Sequence, residues 1–514
     1  MNNDTAVKEI RLPETPESYW TSSTPKTPYP ALQEDLNVDV AVVGGGMAGI
    51  TSAFLLKKEG LKVAIIEAGR ILQGTTGHTT AKITSQHGLI YHKIKKQLGK
   101  EMARQYAQAN EDALNFIAGI IKEKNIDCNF ERQSAYCYTQ SDQYVEQISD
   151  EVKTASELGI NASYAEEIPL PIDIKCAVRF DNQARFHPLK YLLPISRDIT
   201  DSGSYIFENT RAVDIKEGDT VTVVTENGRK VNAKYLIIAS HYPFVNMEGL
   251  YFSRLFPERS YALGIKIKEK FPGGMYITAE EPTRSLRHQN LDDNELIIVS
   301  GEHHKTGQGG NTAGHYEALR SFAVQTFEVL DIPYRWSTQD YSTPDGIPYA
   351  GHFTSKTPNI YVATGFGKWG MTNSTASAII IKDLITKGSS PWEDVYNPSR
   401  FTPIASAPVF IKENINVAEE LISGKLQPVP DSVDIKNGEA GIIEVDGKRT
   451  GAYRDDKGQL HLVDTTCTHM GCELQWNDGE KSWDCPCHGS RFTYEGHIIE
   501  GPALKPLKSP ESQS

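Results

Sequence analysis

The sequence predicts an α/β protein: a doubly wound domain with an interleaved α+β subdomain, followed by a small all-β domain. Three observations predict this architecture. A strand, a glycine-rich turn, a helix and a second strand follow one another near the N-terminus; a second glycine-rich turn precedes a late helix; and short β segments with tight turns dominate after residue 425. The chain of 514 residues is long enough for two such domains.

Composition narrows the class of protein. Apolar residues make up 39% of the chain, charged residues make up 23%, and the formal net charge is -13. An acidic chain without basic runs is not expected to bind nucleic acid. The uncharged run 40–56 is interrupted by Gly44, Gly45 and Gly46, so we interpret it as strand, turn and helix rather than a transmembrane segment. With scattered cysteines and no signal-peptide pattern, these features predict a cytoplasmic protein.

The first unit reads strand 39–43, glycine turn, helix 47–58 and strand 62–66. Glycines in a G-x-G-x-x-G turn allow a pyrophosphate to approach the helix N-terminus, and a carboxylate ending the next strand can accept from ribose hydroxyls. The alternative is a glycine turn without a ligand. The predicted nucleotide contacts are Gly44, Gly46, Met47, Ala48, Gly49, Glu67 and Ala68.

The second glycine turn, 365–370, distinguishes between nucleotides. A dinucleotide module for NAD would normally end within one contiguous domain, whereas this turn comes much later in the chain. A late helix N-terminus suits a flavin, because reduced flavin carries negative charge at its pyrimidine end. The turn therefore predicts FAD, with further contacts at Gly365, Gly370, Met371 and Thr372.

The same patterns divide the chain at about residue 425. The first domain, 1–424, ends with a predicted connector helix, 409–423, for which Gly424 suits the C-terminal cap. The second domain is 425–514. Within the first domain we expect FAD-binding parts at about 37–90, 170–245 and 340–390, and substrate parts at about 91–169 and 246–339.

Five segments carry a resemblance to a known family: "VVGGGMAG", "IIEAGR", "LIIAS" (236–240), "DGIPYAGH" (345–352) and "YVATGFGKWGM" (361–371). With them the chain resembles the D-amino-acid oxidase superfamily, which includes glycine oxidase and sarcosine dehydrogenase. The resemblance implies bound FAD and oxidation of C–N bonds in amines or amino acids. "LIIAS" departs from the usual Ala-Thr-Gly ending of that strand.

The stretch "GTTGHTTAK" (74–82) follows soon after the ribose strand. In dimethylglycine dehydrogenase relatives a similar stretch carries a histidine that is linked covalently to the flavin. The resemblance places His78 at the comparable offset, and a noncovalent active-site histidine is the alternative. In either case Thr75 and Thr76 are expected to contact phosphate or the ring.

"CTHMGCELQWNDGEKSWDCPCHGSRF" (467–492) contains four cysteines and two histidines. Zinc sites fit the irregular spacing of the cysteine pairs poorly, although a structural zinc site stays an alternative, and a four-cysteine iron–sulfur cluster would leave both histidines unexplained. One cysteine and one histidine from each loop match the Rieske motif, in which two cysteines hold one iron and two histidines hold the other. The segment thus resembles Rieske proteins of cytochrome bc complexes and predicts a 2Fe-2S cluster on Cys467, His469, Cys485 and His488.

The Rieske resemblance implies further features. Cys472 and Cys487 would form a disulfide that joins the two cluster loops, with two free thiols as the alternative. Ser490 matches a serine that donates a hydrogen bond to a cluster sulfur. Phe492 stands where high-potential members have Tyr, so one hydroxyl donor is missing. We therefore expect a potential in the lower half of the Rieske range.

The substrate side has weaker signals. Lys368 in the second glycine turn and Tyr349 before it are the candidate catalytic residues. Arg284 and Arg287 are candidates for binding a substrate carboxylate, with salt bridges as the alternative.

Together these patterns predict a flavin and iron–sulfur oxidoreductase. An amine or amino acid is expected to reduce FAD by two electrons, which pass singly to the cluster. An exposed edge at His469 and His488 then hands them to an external one-electron carrier. One alternative is reverse flow, with the cluster feeding a flavin that acts as a monooxygenase or reductase. Another is a noncatalytic electron-transfer or redox-sensing protein, against which a cavity walled by residues 250–340 would argue.

Overall fold

The structure is a computed structural model that describes residues 10–245, 248–291, 294–400, 402–426 and 434–509. Its α-helices are α1 (Tyr19–Ser22), α2 (Met47–Lys58), α3 (Tyr91–Leu98), α4 (Lys100–Glu123), α5 (Val145–Glu157), α6 (Pro188–Ile199), α7 (Thr312–Thr326), α8 (Gly370–Lys387), α9 (Glu393–Tyr396) and α10 (Pro403–Leu426). Short 3-10 turns are Thr75–His78, Asp142–Tyr144 and Glu248–Ser253.

The first 17 strands lie before α10. They are β1 (Leu36–Val43), β2 (Val63–Ile66), β3 (Lys82–Ile83), β4 (Glu131–Thr139), β5 (Ala162–Ala165), β6 (Cys176–Arg185), β7 (Tyr205–Phe207), β8 (Ala212–Lys216), β9 (Val221–Thr225), β10 (Lys230–Ile238), β11 (Phe256–Ile267), β12 (Met275–Thr278), β13 (Arg284–Asn290), β14 (Glu295–Lys305), β15 (Val329–Ser342), β16 (Tyr349–His352) and β17 (Ile360–Thr364).

Seven short strands follow α10. They are β18 (Ala440–Val445), β19 (Lys448–Arg454), β20 (Leu460–Asp464), β21 (Gln475–Asn477), β22 (Ser482–Asp484), β23 (Arg491–Thr493) and β24 (Ile498–Glu500).

The first sheet has eight strands with the main order β16-β17-β10-β1-β2-β7, and β8 and β9 extend it from β10. Strands β17, β10, β1, β2 and β7 run parallel. All four residues of β2 and the second half of β1 are buried, as expected for parallel strands covered on both faces. Helix α2 follows β1 directly, so its N-terminus lies at the carboxyl edge of the sheet.

The second sheet has nine strands with the main order β15-β11-β14-β13-β12-β4-β6-β3, and β5 pairs with β6. Its pairs are antiparallel apart from β12 with β4. These strands come from separate parts of the chain, interleaved with the strands of the first sheet. The α/β sheet, the mixed sheet and the later small sheets confirm the predicted fold class.

The region after α10 contains a three-stranded sheet, β18-β19-β20, and a four-stranded sheet, β21-β22-β23-β24, both antiparallel. Their shared core includes Trp483, Phe492 and Leu474, together with the cysteines of the two loops. The predicted boundary at residue 425 falls near the end of α10, and residues 427–433 lie outside the described residues.

The connector helix differs from the prediction at both ends. Helix α10 begins at Pro403, where a proline is well tolerated, and includes Pro408 at its sixth position, where the proline cannot donate the usual hydrogen bond to the carbonyl group four residues earlier. Gly424 is inside the helix rather than at its cap. A Cβ at Gly424 would lie 2.7 Å from the Cβ of Glu473, so the glycine permits close packing of α10 against a cluster loop.

Across the described ranges, none of the helices combines the length and the apolar character needed to cross a membrane.

Candidate functional site

A cavity of about 480 Å³ lies where the two large sheets meet the C-terminal region. This volume is in the range of small-molecule and cofactor pockets. The carboxyl ends of β1 and β2 form one end, and strands β11, β13, β14 and β15 line the other. The 366–371 turn and the segment 498–504 complete the wall.

Most of the predicted nucleotide contacts lie together at the first end of the cavity. Gly44 has φ +110°, and a Cβ there would lie 2.4 Å from the Ala239 carbonyl oxygen, so only glycine fits the turn. The Glu67 carboxylate accepts hydrogen bonds from the N–H groups of Gly45 at 2.8 Å and Gly69 at 2.9 Å. Burial raises the pKa of Glu67, and these N–H groups act in the opposite direction. The wall here includes Gly44, Gly46, Met47, Ala48, Glu67 and Ala68.

The N-terminus of α2 faces the cavity without a side-chain cap at Gly46. The Met47 N–H donates to the Thr76 hydroxyl at 3.0 Å. A Cβ at Gly46 would enter the same cradle, 3.2 Å from that hydroxyl oxygen. An open helix N-terminus that a Cβ would partly fill is a site for a phosphate group, so these residues fit the pyrophosphate of FAD.

Helix α8 begins at Gly370, also without a side-chain cap, and Gly370 and Met371 line the cavity. Lys368 lines it as well, and its Nζ lies 3.6 Å from a Glu258 carboxylate oxygen. Two helix N-termini therefore point towards one cavity from opposite ends of the chain, which matches an extended, anionic cofactor.

Three predicted contacts lie behind the wall. A Cβ at Gly49 would lie 1.9 Å from the Gly44 carbonyl oxygen, so Gly49 brings α2 close to the turn. Gly365 has φ +74° and packs against Thr343. The Thr372 hydroxyl donates to the Thr84 carbonyl oxygen at 3.0 Å inside the core. These residues shape the cavity from behind.

His78 ends the Thr75–His78 turn and lines the cavity together with Thr75 and Thr76. Its Nδ1 lies 2.9 Å from the Gly74 carbonyl oxygen, so Nδ1–H is the donor. The Trp336 indole N–H donates to the His78 carbonyl oxygen at 2.8 Å, which holds the turn against β15. The position suits contact with a flavin, and its covalent attachment stays a prediction.

Tyr349 lies outside this wall. Its ring packs between the guanidinium groups of Arg254 and Arg400, 4.5 Å and 4.4 Å from the ring centroid. Arg400 also pairs with buried Asp345 at 2.7 Å. The structure therefore does not bring the candidate catalytic residue Tyr349 into the cavity wall: it lies near the glycine turn in sequence, but β16 places its ring in this charged cluster.

Both candidate arginines have internal partners. Arg284 forms an ion pair with Glu302. Arg287 is fully buried, lies over the Trp20 ring at 5.0 Å and donates to the Thr80 carbonyl oxygen at 2.7 Å. Neither belongs to the cavity wall within the described residues, so the carboxylate-binding role does not fall to them.

Lys82 and Asp340 are two of the ionisable wall residues that were not predicted. Lys82 Nζ donates to the Tyr276 carbonyl oxygen at 2.9 Å and to the Ser285 hydroxyl. Burial, and then the charge of Arg287, lower the Lys82 pKa to about 7. Asp340 on β15 is 6% exposed. A lysine between apolar Ala81 and Ile83 was a weak sequence signal, whereas Asp340 had none.

The structure brings the four predicted cluster ligands together from two loops. The Cys467 and Cys485 thiols are hydrogen-bonded to each other, and this contact is the main cause that lowers the Cys467 pKa to about 7. The rings of His469 and His488 have centroids 5.1 Å apart. His488 Nδ1 is buried and has no hydrogen-bond partner among the described residues. Two sulfurs beside two imidazoles suit a 2Fe-2S cluster of the Rieske type.

The spare cysteines form the Cys472–Cys487 disulfide, with Cα atoms 6.4 Å apart. The sulfur atoms of these two residues and Cys485 lie within 4.8 Å of one another. We do not assign these three sulfurs to a metal, since disulfide sulfurs are not thiolate ligands. The disulfide instead ties the two ligand loops together.

The two residues that were predicted to influence the cluster potential lie beside the cluster loops. The Ser490 hydroxyl is hydrogen-bonded to Cys467 and accepts from the Ala503 N–H at 3.0 Å. Phe492 is fully buried in the core beside the cluster loops. Its ring contributes apolar packing and no hydroxyl donor.

His488 faces inward, which corrects the predicted exposed edge for this residue, whereas His469 is partly buried. His488 is 3% exposed, and its ring lies 6.3 Å from that of Phe252. The His469 ring lies 6.4 Å from that of Tyr242. The reason is the docking of the C-terminal region onto the large domain, which a pattern within the cluster loops could not reveal.

Tyr341 connects the cavity to the cluster loops. It lines the cavity, and its hydroxyl lies 3.2 Å from the carbonyl oxygens of both His488 and Gly501. The Gly367 N–H donates to the Tyr341 carbonyl oxygen at 2.9 Å. A short chain of covalent and hydrogen bonds thus runs from the second glycine turn to a predicted iron ligand.

A buried charge network fixes this contact. Arg259 on β11 is 1% exposed and lies 3.6 Å from Glu480 and 3.5 Å from Glu500. Arg491 lies 3.1 Å from Glu500 and 3.0 Å from Asp484. Glu480, Asp484 and Glu500 belong to the C-terminal region, whereas Arg259 belongs to the large domain. The network therefore holds the two regions in a fixed relative position.

Comparisons with known proteins agree with this geometry. Residues 39–384 match the family model described as FAD dependent oxidoreductase, and residues 425–511 match the Rieske [2Fe-2S] domain. The chain is 46% identical over 496 residues to a Bacillus subtilis (strain 168) protein described as a Rieske 2Fe-2S iron-sulfur protein, YhfW, across 96% of this chain and 97% of that protein.

Two more distant proteins resemble the large domain. Gamma-glutamylputrescine oxidoreductase of Escherichia coli (strain K12) is 24% identical over 399 residues, covering 72% of this chain and 88% of that protein. The crystal structure of glycine oxidase from Geobacillus kaustophilus superposes with a TM-score of 0.59 at 16% identity, covering 71% of this chain and 99% of that one. The second likeness concerns the fold. The predicted family resemblance is confirmed, and with it FAD and a 2Fe-2S cluster as cofactors.

Proposed function

Since this chain belongs to the family of FAD-dependent oxidoreductases and carries a Rieske domain, we propose that it oxidises a C–N bond of an amine or amino acid. The electrons leave through the Rieske cluster to an external one-electron carrier. The amine substrate of the relative gamma-glutamylputrescine oxidoreductase, and the fold shared with glycine oxidase, support this substrate class.

One observation carries the proposal: segment 498–504 of the Rieske region lines the same cavity as the two glycine turns. A Rieske domain that served only as a separate electron-transfer module would not need to form part of the cavity that holds substrate and cofactor. Tyr341 touches both sides of this junction. The cavity also draws residues from 250–340, which argues against the noncatalytic alternative.

The proposed cofactor positions follow from the geometry. FAD supplies a two-electron acceptor, and the 2Fe-2S cluster supplies a one-electron exit. The α2 N-terminus would bind pyrophosphate, Glu67 the ribose, and the α8 N-terminus the flavin end. Lys368, neutralised in part by Glu258, would contact the ring or substrate. The proposed iron ligands are Cys467, His469, Cys485 and His488.

We place electron exit at the 467–472 loop. The buried His488 faces the large domain, so this side suits entry from the cavity. Met470 is 45% exposed, close in sequence to Cys467 and His469, and offers the external carrier an apolar contact. Three free buried cysteines, Cys128, Cys137 and Cys176, suit a reducing compartment, so we propose a cytoplasmic location.

An anaerobic titration tests the proposal. Holoenzyme is mixed with a panel of primary and secondary amines and amino acids, while flavin absorbance and the electron paramagnetic resonance of the cluster are recorded. We expect at least one member to bleach the flavin and then to reduce the cluster. Absence of bleaching across the panel, in protein that dithionite reduces fully, would contradict the proposed activity. Flavin reduced instead by electrons from the cluster, with no amine reaction, would favour reverse flow.

A further inference from the structure

Asp340 is a carboxyl group of the cavity wall that has no partner. It lies on β15, where Trp336, Thr338 and Asp340 alternate along the strand and all line the cavity. Its residue surface is 6% exposed, yet the carboxyl group makes no hydrogen bond or ion pair within the described part of the chain. A buried polar group normally has such a partner, so this one points to a ligand.

Among the charged side chains near Asp340, the carboxyl groups outnumber the cations that are available to pair with them. Glu258 lies directly across the β11–β15 pair from Asp340, so both side chains share a face of the sheet. Lys368 is the nearby cation, and its Nζ lies 3.6 Å from Glu258, which also accepts a hydrogen bond from Ser342 at 3.2 Å. Two carboxyl groups therefore share one lysine.

The remaining cation close to Asp340 is committed elsewhere. Arg259 pairs with Glu480 and Glu500 of the Rieske region. Glu500, which also lines the cavity, is matched by Arg259 and Arg491. Among the described residues around this part of the cavity, Asp340 is thus the carboxyl group without a cation of its own.

We propose that Asp340 binds a cationic nitrogen of the substrate, so that the enzyme selects amines or polyamines over simple amino acids. This inference rests on the proposed function and narrows its substrate class. An ammonium group would supply the hydrogen-bond donors and the charge that the carboxylate lacks. A substrate carboxylate would meet an uncompensated negative charge in the same place.

The competing anchor is Lys82, which could bind a substrate carboxylate. Its Nζ already donates to the Tyr276 carbonyl oxygen and the Ser285 hydroxyl. Burial lowers its pKa to about 7, so near neutral pH it is charged in only part of the molecules. A lysine that is partly neutral and already hydrogen-bonded binds a carboxylate more weakly than an arginine, which stays charged and can form two parallel hydrogen bonds.

The pH dependence follows from the groups that face Asp340. Burial raises its pKa to about 7; Glu258 and Glu500 act in the same direction, while Lys368 and Arg259 oppose it. The carboxylate form predominates above that value, so ammonium binding should strengthen as pH rises through 7 and weaken below it. Lys82 titrates in the same window and would give the same trend, so the pH profile needs the Asp340 variant as a control.

The test uses holoenzyme and two neutral variants, Asp340→Asn and Asp340→Ser, with Asp383→Asn as the matched control. Asp383 is also 6% exposed, but it lies on α8 and pairs with Lys382 and Lys387. The probes are 1,4-diaminobutane, n-butylamine and glycine in anaerobic flavin-bleaching assays. The tert-butylammonium ion, which has N–H donors but no α-hydrogen that could be oxidised, is titrated separately by calorimetry.

We expect both Asp340 variants to raise the amine concentration for half-maximal bleaching, and the dissociation constant of the tert-butylammonium ion, by roughly ten- to hundredfold. Flavin content and the Asp383→Asn variant should be unchanged. The rise of affinity through pH 7 should be smaller in both Asp340 variants than in the wild type, because only the contribution of Lys82 remains.

Amine bleaching that survives both Asp340 substitutions unchanged, or a pH trend that is as steep in them as in the wild type, would overturn the inference and leave the proposed oxidoreductase intact. Preference of the wild type for glycine would do the same and would favour Lys82. Absence of bleaching by every probe and by the wider panel would instead count against the proposed function itself.

Discussion

The two cofactor sites of this chain are built from different material. The FAD end of the cavity consists mainly of backbone: glycine turns and the uncapped N-termini of α2 and α8. The cluster site consists of four side chains on two loops, tied by the Cys472–Cys487 disulfide. A backbone site should tolerate many side chains but not an added Cβ, whereas a side-chain site should fail when one ligand is removed.

The largest effect is expected at the side-chain site. Cys485→Ser should abolish the 2Fe-2S signal, because serine does not supply the thiolate that the iron needs. Iron and acid-labile sulfide analysis, with electron paramagnetic resonance, measures this, and flavin reduction should continue. Cys176→Ser is the control, since Cys176 is an equally buried free cysteine on β6. A full cluster in Cys485→Ser would refute the ligand assignment.

The charge network between the two sites should show the next largest effect. Arg259→Met removes one of the two arginines beside Glu480 and Glu500; because Arg491 remains, we expect the loss of this buried partner to cost about 1–3 kcal/mol. The first unfolding transition in denaturant should shift accordingly. Arg104→Met is the control, because its pair with Glu101 is exposed and screened by solvent, so we expect no measurable shift of the transition. Equal shifts in the two variants would mean that Arg259 does not hold the regions together.

A substitution at the FAD site should weaken FAD binding without abolishing it. Gly46→Val places atoms in the cradle near Thr76, and overpacking of this kind costs about 1–3 kcal/mol. Gly46 has φ -84°, so the backbone itself accepts a side chain and the effect reports on the filled space. We expect FAD to bind roughly ten- to a hundredfold more weakly by fluorescence titration.

Gly119→Ala is the control for this substitution, because a Cβ at Gly119 in α4 would meet nothing within 4 Å. That variant should keep its FAD and gain a little helix stability. Undiminished flavin affinity in Gly46→Val would place the pyrophosphate elsewhere.

The smallest effect is expected on the reduction potential of the cluster. Phe492→Tyr should raise the cluster potential by tens of millivolts, on the order expected when a hydroxyl donates to a cluster sulfur. Phe492 is fully buried in the Rieske core, so the new hydroxyl must find a partner there. Voltammetry compares the variant with the wild type. An unchanged potential in a folded variant, or a wild-type value at the top of the Rieske range, would show that other donors set it.

Both cofactor sites were predictable because each is local in sequence. G-x-G-x-x-G and the paired Cys–His loops place their chemistry within a few residues of one another. The substrate end and the junction were not, because β3, β11 and β15 bring Lys82, Asp340 and Tyr341 together from distant positions. Tyr349 shows the converse: it is near the glycine turn in sequence but lies outside the cavity wall.

The burial of His488 was also not predictable, because it depends on contacts between distant parts of the chain. His488 is buried by residues of the large domain, and no pattern inside 467–492 encodes that docking. Helix α10 begins before the predicted connector helix, 409–423, because Pro403 stands at its first position and Pro408 is accommodated inside the helix.

The central claim is that the cavity feeds the cluster of the same chain through the Tyr341 junction. Anaerobic rapid mixing with a reactive amine, followed by freeze-quench electron paramagnetic resonance at several protein concentrations, tests it most directly. We expect cluster reduction to follow flavin bleaching at a rate independent of protein concentration, and to slow in Tyr341→Phe while bleaching does not. A cluster that stays oxidised beside reduced flavin, or a rate proportional to protein concentration, would contradict the claim.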